Sequence, residues 1–134
     1  MNQDQHTPAI KAVSQTNFES EVLKANRPVI VAFCAPWSRP CQILDSVLDE
    51  VSVACADSAK VVKVNADDSP DLGLWYEIES IPTLLWFVHG TPRARVVGTA
   101  SKQAILSKLE TVLHGGDSTP FTPDANLEDE YDNL

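Results

Sequence analysis

Two thiols and a hydroxyl fall close together in Cys34-Ala35-Pro36-Trp37-Ser38-Arg39-Pro40-Cys41, and cysteines are the residues that make and break disulfides. The stretch closes an apolar run, turns over Ala35-Pro36-Trp37 and opens an amphipathic helix at Arg39-Pro40. Ser38 then stands at a helix N-terminus, where free N–H groups and the helix dipole favour an anion. A serine hydroxyl does not ionise near neutral pH, however, and only a thiolate attacks a disulfide. The structural role for Ser38 is that of an N-cap accepting a backbone N–H. Cys41, in the first turn, is pulled two ways, since burial raises a thiol's pKa and the helix N-terminus lowers it. It reads as a packed core thiol or as a residual nucleophile, acting alone or with Cys34. Pairing needs the two Cα atoms within roughly 7 Å, and the spacing along the chain leaves that open. Cys55 reads as core. His6, His89 and His114 lie at no metal-ligand spacing from the cysteines, so neither a metal nor a cofactor is expected.

Position is supplied by the elements on either side. Residues 29–33 are continuously apolar and β-branched, the pattern of a central strand covered on both faces. After Ser38 a helix carries Ile43, Leu44, Val47, Leu48 and Val51 on one face, with Asp45, Asp49 and Glu50 largely opposite. Before the strand, residues 10–14 alternate like an edge strand. Thr16-Asn17-Phe18-Glu19 reads as a capping box opening a helix over 17–25. Beyond the corner, residues 61–64 form a strand, and Asp67-Asp68-Ser69-Pro70 starts a short helix through Trp75 and Tyr76. Residues 81–88 and 93–97 form a hairpin about His89-Gly90-Thr91-Pro92. Ser101 caps a last helix that Gly115-Gly116 stops. Trp75 and Trp86, inside periodic apolar segments, read as core. Early strands alternating with helices, followed by a hairpin and a closing helix, predict an α/β sandwich around a mixed sheet.

The chain has 134 residues, 43% of them hydrophobic, enough for one core. Its net charge of −9 is uneven: residues 115–134 hold six acids and no Lys or Arg, whereas residues 1–114 set thirteen acids against ten bases and carry −3. That balance opposes binding to nucleic acid or an anionic membrane and points to protein partners. No apolar run reaches membrane-spanning length, and residues 1–8 are polar rather than signal-like, so a cytoplasmic protein is expected. Residues 1–9 read as a flexible N-terminus. Residues 115–134 read as a disordered acidic tail, because Phe121, Leu127, Tyr131 and Leu134 bury too little to offset the cost of ordering.

Trp37-Ser38-Arg39-Pro40-Cys41, Lys63-Val64-Asn65-Ala66-Asp67, Ile81-Pro82-Thr83 and Val97-Gly98-Thr99, in this order and at these separations, resemble the thioredoxin family over residues 10–114. The resemblance implies a thioredoxin fold, a central mixed β-sheet flanked by helices. It also implies a cis Ile81–Pro82 bond and a groove lined by Trp37, Ile81, Pro82 and Gly98, beside Arg39 and Pro40, that takes an extended protein segment. Two departures concern one chemistry. The family's first active-site cysteine corresponds to Ser38, and its buried proton acceptor corresponds to Ala32, which leaves Lys63 without the acid that would have partnered it. Cys34 stands where the family usually has tryptophan, and Ser46 where it has a helix-kinking proline. The expectation is a monomeric, non-redox holdase or accessory module for unfolded polypeptide, like the serine-containing thioredoxin domain of chaperedoxins. The alternative is a thiol–disulfide oxidoreductase working through Cys41 or through Cys34 and Cys41.

Overall fold

A computed structural model describes residues 10–115. The strands are β1 (Lys11–Val13), β2 (Val29–Cys34), β3 (Lys60–Asn65), β4 (Thr83–Val88) and β5 (Thr91–Val97). The helices are α1 (Arg39–Ala54), α2 (Pro70–Trp75) and α3 (Lys102–Leu113), with one π-helical turn at Glu19–Leu23. The sheet order is β1-β3-β2-β4-β5, with β1 and β2 parallel to β3, β4 antiparallel to β2, and β5 antiparallel to β4. This mixed sheet between helices is the fold the resemblance implies. The expectations placed on residues 1–9 and on the tail lie outside the described residues, Gly115 apart.

Alternation along β2 sorts the core into two layers, because successive side chains of a strand point to opposite faces. Val29, Val31 and Phe33 pack with Phe18, Val22, Leu72 and Phe87 on one side. Ile30, Ala32 and Cys34 pack with Leu44, Leu48, Ile105 and Leu109 of α1 and α3 on the other. Every residue of β2 is buried, as its unbroken apolar run requires.

Several local expectations change. The capping box does not form: Asn17 Oδ1 accepts from Ser14 N at 2.8 Å, Thr16 bonds the Ser14 hydroxyl, and the segment tightens into the π-helical turn 19–23. Asn17 captures the chain earlier than Thr16 could. Ser69 begins α2, but its hydroxyl accepts from Gln15 N instead of capping. Ile43 is 57% exposed, since the buried stripe of α1 runs through Cys41, Leu44, Leu48 and Val51, and Ile43 lies about 100° away from it. Trp75 is 66% exposed at the end of α2, whereas Trp86 is buried in β4. With Ser46 at its eighth position, α1 runs unbroken from Arg39 to Ala54.

Glu21 ties the π-helical turn to two strands. Its carboxylate meets Lys11 of β1 at 2.8 Å and Lys60 of β3 at 2.7 Å, and Lys60 Nζ also donates to the Glu21 carbonyl. The hydrogen bonds from Lys11 and then Lys60 lower its pKa from 4.5 to about 2. A depressed carboxylate contributes stability above its unfolded pKa and loses it as pH falls through the folded one. The urea midpoint of the protein should therefore drop between pH 4.5 and pH 2. Glu21→Gln should make that stretch of the profile flatter, and an unchanged slope would remove Glu21 from acid unfolding.

Candidate active site

The register brings four separated segments to one end of the sheet. Phe33 lies opposite Thr83, Thr83 opposite Val97, and Cys34 beside Asn65. The end of β2, the loop after β3, the Ile81-Pro82 approach to β4 and Gly98 after β5 are therefore neighbours. The Ile81–Pro82 bond is cis, and Gly98 N donates to the Pro82 carbonyl at 2.8 Å. Gly98 takes φ +97°, a conformation glycine adopts at little cost.

Within this end, the corner residues divide into a buried floor and an exposed rim. Ser38 is buried and caps α1, its Oγ accepting from Cys41 N at 3.3 Å, with Pro40 in the first turn where a missing N–H costs nothing. Trp37 is 68% exposed and anchored by its Nε1, which donates to Asp67 Oδ2 at 2.7 Å. Arg39 and Pro40 are exposed, Ile81 is half-buried and Pro82 buried. Pro82 and Gly98 are joined by their backbone bond, whereas Trp37 is tied to Asp67.

The chemistry lies beneath the rim. Cys34 and Cys41, 7% and 2% exposed, belong to one core cluster and line the same cavity. Burial first, and the Cys41 thiol second, push Cys34 far above the ordinary range for a thiol. Both line a cavity of about 330 Å³, together with Ala35, Pro36, Gln42, Asp45, Lys63 and Asn65. Pro36 and Gln42 of this lining are exposed, and Gln42 Nε2 donates to the Pro36 carbonyl at 2.7 Å. Cys55 lies away from this cavity at the far end of α1, its thiol pushed up by burial.

Lys63 is not orphaned, as Ala32 had suggested. Its Nζ sits 2.7 Å from Asp45 Oδ1, one helical turn beyond Cys41. The two residues beside Lys63 in the sheet, Ala12 and Ala32, are small enough to let its side chain cross to α1. Asp45 was read as part of the polar face of α1. The signal that could have found it is the Cys41/Asp45 spacing of four, which puts both on one helical face. No group of three or more His, Cys, Asp or Glu suited to a metal is found among the described residues.

A mixed sheet with a cysteine in the first turn of its central helix, and a cis-proline at the same sheet end, defines a thiol-bearing protein of the thioredoxin class. The thioredoxin family model matches residues 9–111. A thioredoxin of Griffithsia pacifica is 40% identical over 105 residues, covering 78% of this chain and 96% of that protein. Thioredoxin 1 of Synechococcus elongatus is 41% identical over 102 residues, 76% and 95% of the two chains. A thioredoxin of Mycobacterium tuberculosis is 36% identical over 110 residues, 82% and 95%. The chain belongs to the thioredoxin family. These relatives correct the expectation of a non-redox holdase: at about 40% identity over nearly their whole length they carry the name of the redox protein, which favours the oxidoreductase alternative.

Proposed function

We propose that this protein is a thioredoxin-type thiol–disulfide oxidoreductase whose exchanging pair is Cys34 and Cys41. The observation that carries the reading is that these two thiols, one ending β2 and one opening α1, line a single cavity together. Ser38 serves as the cap that holds the first turn of α1 in place.

The roles of the two thiols follow from their surroundings. Cys41 opens α1 with its backbone N–H capped by Ser38 Oγ, and supplies the attacking sulfur. Cys34 keeps its proton because burial and the adjacent sulfur both disfavour its ionisation. Cys41 thiolate attacks a client disulfide, forming a mixed disulfide and releasing one client thiolate. Cys34, on losing its proton, attacks the Cys41 sulfur, closes the Cys34–Cys41 disulfide and releases the second client thiolate. Two electrons pass from the dithiol to the client, and the exchange between sulfurs calls for no cofactor.

The client is a disulfide-bearing polypeptide presented at the sheet end where Trp37 and Val97 are exposed. All participating groups belong to one chain, as suits a monomer. The acidic balance disfavours nucleic acid and anionic membranes as partners. No helix among the described residues is long and apolar enough to cross a membrane, and a dithiol that must be kept reduced fits a reducing cytoplasm.

Counting thiols tests the pair. Protein exposed to air and alkylated after denaturation should carry a label on Cys55 only, whereas reduced protein should carry labels on all three cysteines. Three labels without reduction, under conditions that oxidise an ordinary dithiol, would overturn the pairing.

A further inference from the structure

Small side chains leave the cavity beside Cys34 and Cys41 unfilled: Ala12 from β1, Cys34 at the end of β2 and Ala35 after it. Its volume of about 330 Å³ lies at the low end for ligand sites, roughly 300–1,000 Å³, and it is half open to solvent. A space of that size admits a molecule of amino-acid scale and not a folded chain.

Donors and acceptors are sorted across it. β3 contributes Lys63 and Asn65 to the lining, and α1 contributes Gln42 and Asp45. Asn65 Oδ1 accepts from Asp67 N at 2.9 Å, which leaves Nδ2 a donor without a partner among the described residues. Gln42 Nε2 donates to the Pro36 carbonyl at 2.7 Å, which leaves Oε1 an unpartnered acceptor among the same residues. Lys63 Nζ has three N–H groups and gives one to Asp45 Oδ1 at 2.7 Å, and Asp45 Oδ2 has no partner among the described residues. The strand side thus offers a cation and an amide N–H, and the helix side a carboxylate and an amide carbonyl. The Lys63–Asp45 pair is partly exposed, 35% and 48%, and a pair of that kind contributes little by itself. A ligand that bonds both partners therefore gains more than it disturbs.

The group this arrangement fits is a zwitterion, with its carboxylate on Lys63 and Asn65 and its ammonium on Asp45 and Gln42. A plain anion would meet Asp45, and a plain cation would meet Lys63. Cys34 and Cys41 line the same cavity and are far more buried than the ion pair, so a ligand gripped by its charged end extends its side chain toward sulfur. Resting on the Cys34/Cys41 reading, we infer that this cavity binds a small zwitterionic disulfide of the cystine type, a substrate class distinct from disulfide-bearing polypeptide. The exchange balances without a further reactant. Cys41 thiolate attacks one sulfur of the bound disulfide, whose S–S bond breaks as the mixed disulfide forms and one aminothiolate leaves. Cys34 gives its proton to water and attacks the Cys41 sulfur, forming the Cys34–Cys41 bond and releasing the second aminothiolate. Both aminothiolates take protons from solvent, and two electrons pass from the dithiol to the ligand.

Three small disulfides test the charge pattern: cystine, cystamine, which lacks the carboxylates, and dithiodipropionate, which lacks the ammonium groups. Each is mixed with the reduced, full-length protein in about 0.5 M salt, which screens the charge of the whole chain. Loss of protein thiols is followed by alkylation and mass spectrometry, and each rate is divided by that of free dithiothreitol with the same disulfide. Cystine should lead both others by about tenfold, since each of them forgoes a charge-assisted hydrogen bond, and its rate should saturate. Lys63→Met should erase the lead over cystamine, and Asp45→Asn the lead over dithiodipropionate. Damage to the fold would instead slow all three alike. Equal normalised rates in the wild type, while a protein disulfide is still reduced, overturn the site and leave the cysteine pair standing. If no disulfide of any kind is reduced, the pair reading falls, and calorimetric titration of cystine into the Cys34→Ser/Cys41→Ser protein decides the site alone. Saturable binding there upholds it, and none overturns it.

Discussion

Cys41→Ser is expected to bring dithiol-driven reduction of a disulfide-linked protein down to the rate of the control without protein, a loss of at least a hundredfold. The attacking species in the exchange is a thiolate, and the serine hydroxyl that replaces it stays protonated near neutral pH. No other thiol can take over the attack. Cys34 keeps its proton, and Cys55 sits at the far end of α1 with its own thiol pushed up by burial. The matching Cys34→Ser variant should fail differently. It should still form the mixed disulfide at Cys41 and then stop there, so that mass spectrometry finds the client covalently retained. Cys55→Ser should turn over like the wild type. A Cys34→Ser protein that turns over normally would show that Cys41 is resolved by an external thiol and would remove Cys34 from the reaction.

Ser38→Cys should make Cys34 dispensable, the largest coupling between two positions expected in this chain. The intrinsic gain from a thiol at position 38 is small. Lowering a cysteine pKa from about 8.5 to about 7 at a helix N-terminus raises the thiolate fraction at pH 7 roughly fifteenfold. The lower basicity returns about fivefold of that as weaker nucleophilicity, leaving a net gain of roughly threefold. The change of partner matters more. The Ser38 side chain already meets the Cys41 backbone N–H at 3.3 Å, so a cysteine there sits against Cys41 and can close a disulfide with it in place of Cys34. In the Ser38→Cys background, Cys34→Ser should therefore cost less than about twofold, against at least a hundredfold in the native sequence. A full loss in the double variant would show that the buried Cys34 is required even when a thiol occupies the cap.

The two predictions separate what Ser38 and Cys34 each contribute, and the sequence alone treated these residues unequally. Ser38 was legible as a cap because N-capping is local: one hydroxyl, one proline and one helix start within three residues. The core of β2 was legible for a similar reason, since an unbroken β-branched run has few uses other than a strand covered on both sides. Local competition misled the reading elsewhere. Asn17 displaced Thr16 as the organiser of the first turn, and Ile43 and Trp75 fell off the buried faces to which periodicity had assigned them. A stripe read over a short helix tolerates an angular error of one residue, and α2 has only six residues in which to correct it. Reading function from Ser38 alone also went astray. A missing cysteine at the cap removes one route to exchange, but it says nothing about a second thiol, Cys34 on the sheet, that lines the same cavity as Cys41.

By itself the sequence determined the residue chemistry and the layers: which positions carry thiols, which strand is central, where the helices begin, and to which family the corner belongs. These follow from short-range physics, in side-chain alternation, helical period and capping. Only the tertiary structure decided that Cys34 and Cys41 line one cavity, that Lys63 finds Asp45, and that Trp37 is anchored by Asp67. Alternation places Cys34 on the same face of β2 as Ile30 and Ala32, but the crossing of α1 over the end of that strand sets which helix turn lies above it. Lys63 can reach α1 because its neighbours across the sheet are Ala12 and Ala32, a register fixed by strand pairing between segments far apart in the chain. Contacts of that kind depend on how packed elements are oriented in three dimensions, and no spacing along the chain encodes them.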